Sequence, residues 1–111
     1  MDNKRMSMIS RLIQKELGEL FLLETKKTPG ILITVSEVRV TPDLSQARVF
    51  LSIFPDNKAD ELIKAIQQNS ATIRYDFGKR VHTQLRIIPE LIFLKDDSEK
   101  IISRIDELLK Q

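Results

Sequence analysis

At 111 residues, with 41% hydrophobic and 31% charged content, the chain is expected to fold as a single domain spanning residues 1–111. It has no cysteine, which excludes disulfides, zinc–thiolate sites and thiol catalysis. The net charge of +2 is unevenly spread: residues 1–15 and 74–86 each carry +3 while the remainder is acidic, the pattern of a surface offered to a polyanion such as nucleic acid.

Met6, Ile9, Ile13, Leu17, Leu20 and Phe21 recur at helical spacing and predict an amphipathic helix over residues 4–24. At about 100° per residue, Lys4, Arg11 and Lys15 fall opposite that stripe, with Arg5 in the same basic segment. Lys26, Lys27 and the Pro29-Gly30 pair mark the end of this helix. The N-terminal residues lack the apolar run of a signal peptide, and the longest apolar runs span only a few residues. The expectation is a cytoplasmic protein with no membrane contact.

Residues 31–41 are β-branched and alternating, hence a strand. Ile31, Ile33 and Val35 share one face, but Val38 and Val40 resume out of phase, which predicts a β-bulge near Ser36-Glu37. Thr41 to Ser45 has the chemistry of a tight turn, and Ala47, Val49, Leu51 and Ile53 alternate as a second strand, closing an antiparallel hairpin.

A helix is predicted to begin near residue 57, burying Ala59, Leu62, Ile63 and Ile66. A second stripe, Ile73, Phe77 and Val81, continues to about residue 83, and the weak helix formers at 67–72 between them predict a bend or break. Residues 85–94 read as a third strand, with Pro89 at a bulge or on an unpaired edge. Asp96, Asp97 and Ser98 would cap a last helix over 98–110, with Ile101, Ile105 and Leu108 inward. This α-β-β-α-α-β-α order predicts an α+β fold, a three-stranded sheet covered on one face by helices.

Catalytic chemistry has no foothold in the pattern. The three glycines are too dispersed for a phosphate-binding loop, and His82, the single histidine, has no metal-ligand companion. We expect no catalytic residues, no metal, no cofactor, no small-molecule substrate, and a monomer. Binding chemistry is better supported. Arg74, Tyr75, Lys79 and His82 lie opposite the apolar stripe of their helix, beside Arg80 and Arg86. The cations suit phosphate contacts, and Tyr75 suits stacking on a base. Arg39 and Arg48 could belong to either sheet face, and the pattern assigns them no role.

The N-terminal basic helix, the run from Val38 to Val49 with Asp43, Leu44, Ser45 and Ala47, the Ile73-Arg74 pair, and Pro89, Glu90, Leu91 and Phe93 together resemble the ribosome-binding factor A family. The likeness covers nearly all of the chain in order and spacing. It implies a type-II KH-like domain in which a helix-kink-helix, usually centred on Ala-x-Gly, replaces the GXXG loop of ordinary KH domains. Here the kink residues are Asn69, Ser70 and Ala71, so neither the alanine nor the glycine stands in its place. The resemblance further implies a non-enzymatic RNA-binding factor for the free small ribosomal subunit and its rRNA, acting in late maturation, 5′-end processing and growth in the cold. Its RNA contacts would come from Lys4, Arg5, Arg11, Lys15, Arg74, Tyr75, Lys79, Arg80, His82 and Arg86. A BolA-like regulator on the same scaffold is the alternative, and the lone histidine with no cysteine speaks against it. An acylphosphatase-like enzyme would need a strand before the first helix.

Overall fold

The computed structural model describes residues 3–96. The helix expected over 98–110 lies outside the described residues.

Helix α1 (Asn3–Thr25) buries Ile13, Leu17 and Phe21, spaced four residues apart on one face, with Ile9, Leu12 and Leu20 packed at their margins. Burying side chains of this size contributes about 1.5–3 kcal/mol each, so this stripe rather than intrinsic propensity holds the helix to the sheet. Its end tightens into a turn in which the Thr28 amide donates to Thr25. Gly30, at φ 88°, then swings the chain into the first strand, a left-handed conformation that favours glycine.

Strands β1 (Leu32–Val40) and β2 (Gln46–Phe54) pair as the antiparallel hairpin expected. Val35 faces Leu51 and Glu37 faces Phe50, so Ser36 has no counterpart and forms the predicted bulge. The extra residue returns Val38 to the face that buries Val35. The backbone groups it frees are not orphaned. Gln14 Nε2 on α1 donates to the carbonyls of Val35 (3.2 Å) and Ser36 (3.3 Å), and Ser36 Oγ donates to Phe50 O (3.1 Å).

The hairpin turn is organised by Asp43. Its Oδ1 accepts from Thr41 Oγ1 (2.8 Å), Ser45 Oγ (2.8 Å) and the Ser45 amide (3.1 Å). The Thr41 hydroxyl most of all, then the Ser45 hydroxyl and amide, hold the Asp43 carboxyl below its ordinary pKa, because each stabilises the charged form.

A 3-10 turn at Asp56–Lys58 precedes α2 (Ala59–Gln68), so the α-helix proper starts slightly later than residue 57. A single residue, Asn69 (φ −99°, ψ 14°), separates it from α3 (Ser70–Val81). The Asn69 amide donates to the carbonyls of Ala65 and Ile66, its Nδ2 donates to Ala65 O (3.0 Å), and its own carbonyl accepts from Ile73. The break therefore leaves few backbone groups without partners.

Strand β3 (Glu90–Lys95) runs parallel to β2, with Gln46 opposite Glu90 and Leu51 opposite Lys95, giving the order β1-β2-β3. The third strand thus begins at residue 90, not at 85 as its apolar content suggested. Two interactions explain the difference. Leu85 is drawn into the core by a turn in which its amide donates to Val81 O. The carbonyls of Ile88 and Pro89 are taken by the Arg74 guanidinium, at 2.5 and 3.1 Å, so they are spent before any ladder could use them. Pro89 stands just ahead of the strand, where its missing N–H costs nothing. Further along, the Phe93 amide donates to Gln67 Oε1 of α2 (2.8 Å).

Ala47, Val49, Leu51, Ile53, Leu91 and Phe93 point into the helical layer and are buried. Phe93 meets Phe21 of α1 edge-on, with centroids 5.9 Å apart at 88°. The opposite sheet face carries exposed Leu32, Arg39, Arg48, Phe54 and Leu94.

Candidate nucleic-acid interface

The expected basic residues fall into separate groups with different surroundings. On α1, Lys4, Arg5, Arg11 and Lys15 are all exposed, because Ile13, Leu17 and Phe21 turn the opposite side of the helix into the core. Arg11 also shares a shallow concavity with Arg39 of β1, lined between them by Ser7 and Ser10. Sequence reasoning gave Arg39 no role. Its placement depends on the bulge, which turns Val38 inward and leaves Arg39 on the open face, its Nε bonded to Glu37 Oε1 at 2.9 Å and its guanidinium 5.8 Å from the Phe50 ring. Arg48 stands directly opposite it on β2.

On α3, burial of Phe77 and Val81 presents Arg74, Tyr75, Gly78, Lys79 and His82 together. With Ile88 from the following loop they line one shallow groove. Tyr75 is 64% exposed. The Lys79 ammonium sits 4.6 Å from the centroid of its ring. His82 Nδ1 lies 2.9 Å from Lys79 O, and since a carbonyl only accepts, that nitrogen carries the proton and Nε2 points elsewhere. Arg74 forms part of the groove wall, but its guanidinium also pins the chain at Ile88 and Pro89. Gly78 has a positional reason. A β-carbon there would lie 3.6 Å from the nearest Ile88 methylene, so its absence leaves the groove open beside that side chain. Asp76, the acid of this segment, lies on another side of α3, where it lines an apolar groove with Glu24, Leu20 and Ile66. The helix thus separates its charges.

Arg80 and Arg86 stand outside the groove. Arg86 is exposed in the turn after α3. Arg80 reaches back to α1, its Nε 2.8 Å from Glu16 Oε2 and its second nitrogen bonded to Glu19. Only 29% of the Arg80 side chain and 16% of the Glu16 side chain are exposed. Two carboxylates neutralise this guanidinium, which clamps α3 to α1. Glu16 and Glu19 carried no sequence signal for that pairing, which depends on a contact across 64 residues.

The kink residues are divided in the same way. Asn69 alone is the junction, while Ser70 and Ala71 form the first turn of α3 and line a small depression with Ser45, Arg74 and Glu90. Among the described residues only Leu44 and Gly30 have positive φ, so this junction needs no glycine. No cluster of three or more His, Asp or Glu capable of holding a metal occurs among the described residues, and none of their helices is long and apolar enough to cross a membrane.

The family model of ribosome-binding factor A matches residues 5–109. A ribosome-binding factor A of Flavobacterium johnsoniae is 42% identical over 111 residues, covering 98% of this chain and 85% of that protein. The crystal structure of ribosome-binding factor A from Thermus thermophilus aligns with a TM-score of 0.64 at 22% identity, over 81% of this chain and 94% of that one, which shows a common fold. Coordinates of the Thermus thermophilus factor fitted into a cryo-EM map of a 30S complex align with a TM-score of 0.60 at 25% identity, over 75% of this chain and 86% of that one. The α+β architecture is the KH-like fold of these neighbours. With a family match over nearly its whole length, the chain belongs to the ribosome-binding factor A family.

Proposed function

We propose that this chain is a non-catalytic assembly factor that binds the free small ribosomal subunit and assists late maturation of its rRNA, including 5′-end processing and growth in the cold. It acts as a cytoplasmic monomer, its KH-like domain holding rRNA phosphates through the outer ridge of α1 and the outer face of α3. The observation that carries this reading is the α3 groove, where Arg74, Lys79 and His82 converge around an exposed tyrosine while Asp76 is turned away. Such a surface suits an RNA chain, whose phosphates meet the cations and whose bases have an aromatic partner. A further support is the relative fitted into a 30S complex. A factor that prefers one rRNA arrangement shifts the population toward it by its difference in affinity, an effect most needed in the cold, where misfolded RNA helices persist. Gradient sedimentation of a cell extract at low salt tests the proposal. The protein should travel with free small subunits and be scarce on translating ribosomes, and cells lacking it should accumulate small-subunit rRNA with unprocessed 5′ ends, most strongly at low temperature. Recovery only at the top of the gradient would overturn it.

A further inference from the structure

We infer that the groove on α3 is a seat for one unpaired nucleotide, with the base stacked on Tyr75 and its phosphate held by Lys79, so that the chain prefers single-stranded to duplex RNA. The inference rests on the reading of α3 as an RNA-facing helix and goes further, in naming the form of RNA that this helix takes.

Three features of the groove favour a splayed base over a duplex backbone. Tyr75 leaves most of its surface in water although it sits on a helix with a well-filled buried stripe, so its ring is not needed for the core. Beside it the wall is apolar and shaped by Gly78, whose missing β-carbon lets the groove reach the Ile88 side chain. A surface that held only phosphates would gain nothing from an exposed ring and an aliphatic wall. A base has two flat apolar faces and gains from both.

The cations sit where the phosphate attached to that base would lie. Lys79 rests 4.6 Å from the centroid of the Tyr75 ring, an exposed cation–π contact. Such exposed contacts are weaker than the stacking of a base on an aromatic ring. A base arriving on that face of the ring therefore displaces the ammonium, which is then free to meet the phosphate a few ångströms away. His82, whose Nδ1–H donates to the Lys79 carbonyl, keeps Nε2 as an acceptor on the same wall, suited to a base N–H or a ribose hydroxyl rather than to the phosphate. Duplex RNA keeps its bases stacked inside and presents only its backbone and groove edges, so it cannot use the ring.

Tyr75 is the single tyrosine of a chain without tryptophan, so intrinsic fluorescence reports on this ring alone. The full chain is titrated at low salt with single-stranded oligouridylate and, separately, with a blunt RNA duplex of equal length. Saturable quenching by the single strand, with far less by the duplex, is expected. For the variants, which lack the tyrosine reporter, binding is read by the anisotropy of a fluorescein-labelled oligouridylate: Tyr75→Leu should weaken it on the order of 10-fold, and Tyr75→Phe should keep most of the affinity. Unchanged affinity in Tyr75→Leu, or equal quenching by the duplex, would overturn the inference. Sedimentation with free small subunits is measured in parallel. Subunit binding without quenching by oligouridylate would sink the nucleotide seat and leave the assembly role standing. Quenching without subunit binding would do the reverse.

Discussion

Arg80 of α3 and Glu16 of α1 are joined by a half-buried ion pair at 2.8 Å, and this contact ties the two helices together. Removing Arg80 leaves the Glu16 carboxylate largely enclosed without its partner. The cost exceeds that of a surface pair, and for this partly exposed site about 1–2 kcal/mol is the appropriate scale. Arg80→Ala should therefore lower the midpoint of thermal unfolding by several degrees, and the double change Glu16→Gln with Glu19→Gln should approach the same loss without touching a cation. Thermal unfolding of the three proteins checks this. An unchanged midpoint in Arg80→Ala would show that the clamp contributes nothing. Arg74 and Arg80 are both structural anchors, so removing either should cost stability as well as charge.

The Asp43 turn should make stability depend on acid. Its carboxyl has a folded pKa below the ordinary value because the Thr41 and Ser45 hydroxyls and the Ser45 amide bond its charged form. That contribution is fully present above about pH 4, the range of an unfolded aspartate, and is lost as pH falls through the folded pKa. Asp43→Asn should remove this component. Chemical unfolding of both proteins at neutral pH and in the acid range should show their stabilities converging as pH drops. Parallel curves over that range would show that the turn bonds do not select the ionised form.

Much of this fold was legible because its signals are local. The helical stripe from Ile13 to Phe21, the phase slip between Val35 and Val38, and the weak helix formers before Ile73 each predicted an element from a few neighbouring residues, and the structure has α1, the Ser36 bulge and the break at Asn69. What local pattern could not supply was the competition for backbone groups and charges by distant side chains. Arg74 takes the carbonyls of Ile88 and Pro89, so β3 starts at Glu90 rather than Leu85, and Glu16 and Glu19 take Arg80. The α3 groove was half legible. Periodicity brought Arg74, Tyr75, Lys79 and His82 to one face, but Ile88 joins them only through the turn after α3. Arg39 needed the bulge to be placed on the open face of the sheet.

Gly78 should show a trade between stability and binding. Its φ is not positive, and an added β-carbon would meet Ile88 at an ordinary contact distance of 3.6 Å, so Gly78→Ala fits the helix without strain. Replacing a mid-helix glycine with alanine gains about 0.5–1 kcal/mol. The added methyl also narrows the groove beside Tyr75. The variant should melt higher than the parent and bind single-stranded RNA less well, as measured by thermal unfolding and Tyr75 fluorescence. Higher stability with undiminished binding would mean that the space beside Ile88 is not used by RNA.

The α1 ridge offers a direct test of an electrostatic RNA contact, because Lys4, Arg11 and Lys15 stand away from the buried stripe of the helix. Lys4, Arg11 and Lys15 are exposed on the side of the helix away from Ile13 and Leu17. Each phosphate contact releases condensed counterions, so each one lost should flatten the log–log salt dependence of binding by about 0.7–0.9. Changing Lys4, Arg11 and Lys15 together to Ala should reduce the slope for small-subunit binding by roughly two to three and weaken binding most at low salt. Stability should move by no more than about 0.5 kcal/mol per site, since none of the three caps the core stripe. Arg80→Ala supplies the contrast: its guanidinium is already neutralised by Glu16 and Glu19, so it should lower the melting midpoint and leave the salt slope nearly intact. A triple α1 variant with an unaltered slope would place the RNA elsewhere on the molecule. A steep loss of slope in Arg80→Ala would show that this arginine leaves its carboxylates for a phosphate in the complex.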